Sequence, residues 1–327
     1  MRSLVISGYG VTLGFRKGAL ILRSRRGSAT YSLADIDRVV VATSGVSVTS
    51  RALRALINSG IDLVVMDSRG FPVGVLYHPY VTRTVDSRRG QYSSFTDGRA
   101  VAVVKVIAVS KILNQAGLLR RASRSFGVRL SSDVAELKAY AGEVARVSGG
   151  DVRGVRREVM AIEAAAARVY WGAYSSLLPG DLGFRGRDRD SPDPVNTSLN
   201  YGYGVLYPEC WRALALAGLD PYAGFLHVDR SGKPVLAFDV IEVFRSAGVD
   251  YPLLKAFRSG WRPRVEGGLL VREERVEVLR VVGGGLSSKF RVGGVVRDLR
   301  SWVRAFATSL AAYLRGEGVL KPLVFRW

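Results

Sequence analysis

Short apolar runs dominate the first eighty residues, and longer, helically spaced ones dominate the rest. Leu4-Val5-Ile6, Ala19-Leu20-Ile21-Leu22, Arg38-Val39-Val40-Val41 and Ile61-Asp62-Leu63-Val64-Val65-Met66 are brief and rich in β-branched residues. Segments such as Phe15-Arg16-Lys17-Gly18 and Arg25-Arg26-Gly27 separate them, a combination that predicts strands joined by tight turns. One helix interrupts the set: Ser47-Val48-Thr49-Ser50 offers capping hydroxyls, Leu53, Leu56 and Ile57 make a stripe, and Gly60 ends it. Asp67-Ser68-Arg69-Gly70 then predicts a hairpin turn before Pro72-Val73-Gly74-Val75-Leu76.

From about residue 90 the period becomes helical. Ala100 to Leu113 sets Val103, Val104, Ile107, Ile112 and Leu113 on one apolar face, and Val134–Val147 and Val155–Leu178 continue the pattern. The fold class expected is α+β: a small β-rich domain over 1–85, then a larger all-helical domain over 86–327. The polar stretch containing Arg83, Arg88, Arg89 and Gly90 marks the boundary. Phe184 to Pro194 is too charged and proline-rich for a buried element and predicts a surface loop. Gly8-Tyr9-Gly10 and Gly283-Gly284-Gly285 lack the Gly-Lys-Ser/Thr of a phosphate loop and predict turns.

Composition narrows the function. The chain has 327 residues, 48% of them hydrophobic and 23% charged, a profile that excludes a disordered chain. No run of eighteen apolar residues appears, and the N-terminus does not read as a signal peptide. Cys210 is the only cysteine, so neither an intrachain disulfide nor a cysteine-rich zinc site is possible. A cytoplasmic protein without a membrane partner is expected. The 48 basic against 28 acidic side chains give a net charge of +20. Residues 1–90 hold 13 basic and 5 acidic groups, so the surplus spreads over folded segments and points to nucleic acid.

Histidine is scarce. His78 has no acidic residue within seven positions, whereas His227 follows Gly224-Phe225-Leu226 and precedes a polar turn. Twelve residues on, Asp239 and Glu242 stand i, i+3 in an apolar segment and share one helical face. Glu163 lies in an equally apolar setting before four consecutive alanines. Carboxylates so placed are expensive unless something cationic joins them. Arg168 and Arg245 could do so as ion pairs; a metal ion is the other possibility. One imidazole with several carboxylates and no thiolate suits Mn²⁺ or Mg²⁺. Arg185, Arg187, Tyr201, Tyr203, Tyr207 and Arg245 suit a DNA backbone and exposed bases.

Four ordered blocks resemble a known family. They are Ile162-Glu163-Ala164 with Ala167 to Trp171; Asp193-Pro194-Val195-Asn196 running into Tyr201-Gly202-Tyr203 and Leu206-Tyr207; Ala217 to His227; and Leu236 to Asp239 with Glu242 to Arg245. The family is the CRISPR-associated integrase and endonuclease of the adaptation module, the universal first protein of CRISPR systems. The resemblance implies a metal-dependent enzyme that inserts foreign DNA fragments as spacers into a CRISPR array by transesterification. It implies catalytic and metal-binding roles for Glu163, His227 and Glu242, with Asp239 as an accompanying metal residue. It places Asn196, Tyr207 and Arg245 beside DNA. The partners implied are double-stranded DNA (fragment ends and the CRISPR repeat), a second copy of the chain joined mainly through the N-terminal domain, and the small second core adaptation protein. Two other readings stand beside it: a non-catalytic nucleic-acid scaffold whose acids are merely ion-paired, and a transposon-type integrase.

Overall fold

Lys17 and Gly18 both adopt positive φ, 50° and 79°. That twist is what a two-residue hairpin turn requires, and they join β2 (Val11–Arg16) to β3 (Ala19–Ser24). The structure is a computed structural model that describes residues 2–70, 72–76 and 84–327. β2 and β3 belong to a four-stranded sheet with β4 (Gly27–Ser32) and β6 (Val46–Val48), in the order β4-β3-β2-β6. A second sheet has the order β1-β5-β7-β8, from β1 (Arg2–Ile6), β5 (Ile36–Val41), β7 (Asp62–Met66) and β8 (Pro72–Leu76). The first three of these run parallel, and β8 returns antiparallel through the expected turn at Asp67–Gly70. α1 (Ser50–Asn58) starts where the capping hydroxyls predicted: Thr49 accepts from the Ala52 amide.

The second sheet is buried on both faces, and side-chain alternation divides its residues between two cores. Leu4, Ile6, Val39, Val41 and Leu63 meet Leu13 and Leu20 of the first sheet. Val40, Val64 and Met66 point the other way, into the helical region. Each such aliphatic side chain contributes roughly 1.5–3 kcal/mol on full burial. β2, β4 and β6 were not legible as apolar runs, and β4 shows why: it is a largely exposed edge made of Gly, Ser, Ala, Thr and Tyr.

The C-terminal region is mostly helical. It contains α2 (Thr84–Ser93), α3 (Arg99–Phe126), α4 (Ser131–Arg146), α5 (Val152–Leu177) and α6 (Pro194–Leu216). α7 (Val235–Arg245), α8 (Tyr251–Arg258), α9 (Arg272–Ser287) and α10 (Leu299–Leu314) follow. Two small hairpins sit among them, β9–β10 (Val265–Glu266 with Leu269–Leu270) and β11–β12 (Lys289–Val292 with Val295–Asp298). The polar stretch around Arg88, Arg89 and Gly90 forms α2; His78 and Arg83 lie outside the described residues. α3 runs well past the expected Leu113 and stops at Gly127, in the left-handed conformation at φ 71°. It is long and apolar enough to cross a membrane, yet 67% of its most apolar window is buried, as in a core helix. Gly283-Gly284-Gly285, expected as a turn, instead lies inside α9. There a Cβ on Gly285 would come within 2.7 Å of the Gly248 carbonyl oxygen, so the glycine permits close helix packing.

Candidate active site

Glu163 from the middle of α5 and Glu242 from α7 meet across a residue that sequence patterning passed over, Lys111 of α3. Its ammonium nitrogen lies 2.5 Å from Glu163 Oε1 and 2.7 Å from Glu242 Oε2. Arg245, one turn after Glu242, closes on the other carboxylate oxygen. A buried carboxylate, Glu242, and a partly buried one, Glu163, therefore face two cations. Burial pushes the Glu242 carboxyl up, but Arg245 and Lys111 outweigh it and hold its pKa at about 2. Burial likewise lowers Lys111, and Glu242 and Glu163 more than reverse it, so the ammonium stays charged. The partner of Glu163 is thus Lys111, not the neighbouring Arg168. The signal was a single lysine in the apolar stretch Ile107–Leu113.

His227 ends the loop 217–227, which several elements pin down. The buried Gln91 of α2 donates to the Asp220 and Ala223 carbonyls at 2.9 Å each and accepts from the Asp220 amide at 2.8 Å. Arg156, two helical turns before Glu163 on α5, donates to the Phe225 carbonyl at 2.8 Å. Gly224 lets the loop descend onto α7, since a Cβ there would come within 2.8 Å of the Val235 Cβ. Neither Gln91 nor Arg156 carried a sequence signal, because each acts on a segment more than sixty residues away.

Asp239 fastens the end of this loop. Its Oδ2 accepts from the amides of Phe225 (2.5 Å) and Leu226 (2.8 Å). Its Oδ1 takes the His227 amide at 3.0 Å and the His227 ring Nδ1 at 2.7 Å. With both oxygens engaged and 0% of the side chain exposed, Asp239, expected as an accompanying residue of the site, stands behind His227 and orients it. Holding Nδ1 as the donor leaves Nε2 as the free nitrogen, on a side chain that is 42% exposed. The Asp239 hydrogen bond raises the His227 pKa above 6.5 against the effect of burial, and the charges of Asp239 and Glu242 add to the rise.

The three residues expected beside DNA have different surroundings. Asn196 is buried with every polar atom in use: it accepts from Arg187 (2.8 Å) and the Asp188 amide (3.0 Å), and donates to the Gly186 carbonyl (2.9 Å) and Asp193 (2.6 Å). It locks the 184–193 loop to the start of α6. Arg245 is committed to Glu242 and lies over the Tyr203 ring, 4.5 Å from its centroid. It is the ion pair that the sequence left open. Tyr207 is half-buried and packs on Phe238, with ring centroids 5.3 Å apart. Behind Arg245 the continuous α7–α8 rod widens into a π turn at Ser246–Asp250. There Asp250 accepts from the Tyr170 and Tyr203 hydroxyls at 2.7 Å each, and its carbonyl accepts from Tyr174 at 2.9 Å.

The donors fit a hard divalent cation. The two carboxylates already share a positive charge, and an imidazole is oriented nearby. Glu242 Oε2 lies 2.7 Å from the Lys111 ammonium, so the position between the carboxylates is one that a cation already holds. Among the described residues no three His, Cys, Asp or Glu side chains form a ready ligand set on their own, and the Lys111 ammonium stands between the two glutamates.

Residues 4–279 match the model of the family described as CRISPR associated protein Cas1. The chain is 36% identical over 327 residues to a CRISPR-associated endonuclease Cas1 of Pyrobaculum aerophilum, covering 94% of this chain and 99% of the relative. It is 33% identical to one from Saccharolobus solfataricus, over 96% and 95%. Among solved structures it resembles a casposase bound to integration product, with a TM-score of 0.85, 22% identity and coverage of 98% and 93%. It also resembles a Cas1 protein from Thermotoga maritima, with a TM-score of 0.78, 20% identity and coverage of 98% and 99%.

Proposed function

The chain belongs to the Cas1 family of CRISPR-associated proteins, and on that premise we propose that it is a divalent-metal-dependent DNA endonuclease and integrase that inserts short DNA fragments into a CRISPR array. The observation that carries this reading is the meeting of Glu163 and Glu242 across one cation, beside a histidine whose ring Asp239 holds in place. Glu163, Glu242 and Nε2 of His227 would hold Mn²⁺ or Mg²⁺. When bound, the ion supplies positive charge to the scissile phosphate.

The chain's own residues do the rest. Asp239 fixes the imidazole tautomer, so that Nε2 faces outward with its lone pair free to act as a ligand. Arg245 and Lys111 keep Glu242 ionised at neutral pH, and Lys111 also pairs with Glu163. In strand transfer the 3′-hydroxyl oxygen of a fragment bonds to a target phosphorus, the target's own 3′-oxygen leaves, and one proton passes from the first oxygen to the second through solvent. Water in place of the hydroxyl gives cleavage.

The net charge of +20 supports binding to the DNA backbone. One solved relative is a complex named as Cas6-RT-Cas1 with Cas2, matching 98% of this chain at 20% identity. By analogy the proposed partners are a second copy of the chain and a Cas2-type protein.

A strand-transfer assay on a supercoiled array plasmid, with and without Mn²⁺ and the companion protein, tests the proposal. Glu163→Ala and His227→Ala should each reduce transfer and cleavage by about a thousandfold or more, with folding and most DNA affinity kept. An undiminished rate in either variant, or indifference to chelator, would favour a non-catalytic scaffold.

A further inference from the structure

Charge bookkeeping at the site is closed before any metal arrives. Glu163 and Glu242 carry two negative charges; Lys111 and Arg245 carry two positive ones within ion-pair distance. A divalent ion placed on these carboxylates therefore meets a neutral cluster and a resident ammonium that lies between the two glutamates. At such separations two like charges repel by kilocalories per mole even at the effective dielectric of a protein surface. The ammonium must move off at least one carboxylate, and it is on a flexible four-carbon stem that allows this. Arg245 has less freedom, being pinned over Tyr203.

We infer that Lys111 is an internal competitor for the metal position, and that its release onto an incoming DNA phosphate couples metal loading to DNA binding. This rests on the metal-site reading above and adds the order of events. In the free protein Lys111 holds the glutamates together and keeps metal affinity low. A phosphate at the site offers the ammonium a second anion, frees the carboxylates and offsets the charge that the ion adds. Linkage is reciprocal, so Mn²⁺ must raise DNA affinity by the same factor by which DNA raises Mn²⁺ affinity.

The test measures Mn²⁺ binding to the full chain by electron paramagnetic resonance of the free ion, with and without a short DNA duplex. Calcium is avoided, and the protein is kept at neutral pH. Lys111→Met and Lys111→Gln should bind Mn²⁺ at least about tenfold more tightly than the wild type without DNA, a difference of about 1.4 kcal/mol. In both, the gain on adding DNA should shrink. Lys111→Arg, which keeps the competing charge, should bind no more tightly than the wild type and serves as a folded control should the neutral variants prove unstable. Equal or weaker Mn²⁺ binding by both neutral variants would overturn the inference, and so would tighter binding by Lys111→Arg. Failure of the underlying reading looks different: Glu163→Gln would then leave saturable Mn²⁺ binding untouched, or the wild type would show none.

Discussion

Asp239 receives three backbone N–H groups and one imidazole nitrogen in a fully enclosed position. Such a carboxylate fixes a loop and a ring orientation together, and an outer partner of this kind is typically worth about 10–100-fold in metal affinity or activity. Asp239→Asn should therefore lower activity by about that factor. It should also move the His227 pKa down towards 6.5, which an NMR titration of the metal-free protein would read with His78 as the second histidine signal. The sign of the stability effect follows from the elevated native value. The contribution is complete below about pH 6.5 and is lost as pH rises through the native pKa. An unmoved His227 titration would remove the assigned role.

The π turn at Ser246–Asp250 shows how an element can serve a site without touching it. One extra residue in the helical turn places Asp250 where Tyr170 and Tyr203 can both donate to it, and the Tyr203 ring then lies under Arg245. π turns inside α-helices are frequent at functional sites. Burial raises the Asp250 pKa, and the two tyrosine hydroxyls and the nearby arginines only partly oppose it. Tyr203→Phe keeps the ring for Arg245 but takes one donor from a buried acid. It should cost about 1–3 kcal/mol in denaturant unfolding, and a cost within error of zero would show that Asp250 is satisfied without it. The α7–α8 rod also shows the limit of patterning: the i, i+3 spacing of Asp239 and Glu242 placed both on one helix, but not the widened turn that follows.

At the scale of the whole molecule, a buried ion cluster ties the N-terminal sheet to the helical region. Arg38 of β5 meets Glu209 of α6 at 2.6 Å, Arg300 of α10 reaches the same carboxylate at 3.0 Å, and Asp62 of β7 pairs with Arg212 of α6. Nearby, Gly204 of α6 sits so close to the β7–β8 turn that a Cβ there would run into the Gly70 carbonyl. Burial pushes Glu209 up, but Arg38 and Arg300 prevail and its pKa falls below 4.5. Its contribution is therefore present above about pH 4.5 and lost as pH falls through the depressed native value. Glu209→Gln should destabilise the protein by about 3 kcal/mol at pH 7, as removal of one partner from a buried pair does. The gap from the wild type should close in paired thermal melts as pH falls through that depressed value; a gap that persists in acid would mean packing, not charge, holds the contact.

Local pattern was enough for the broad plan. Alternation and turn residues gave β1, β3, β5, β7 and β8, helical periodicity gave α3 to α5, and isolated acids in apolar helices, with four ordered blocks, marked Glu163, His227 and Glu242. These are properties of neighbours along the chain, where periodicity and desolvation leave a readable trace. Tertiary structure decided the pairings: Lys111 between the glutamates, Asp239 behind the histidine, Asn196 inside a loop lock, and Gln91 and Arg156 bracing a distant loop. Each depends on how segments pack together, and a contact such as Lys111 with Glu163 or Gln91 with Asp220 leaves no period in the sequence that surrounds either residue.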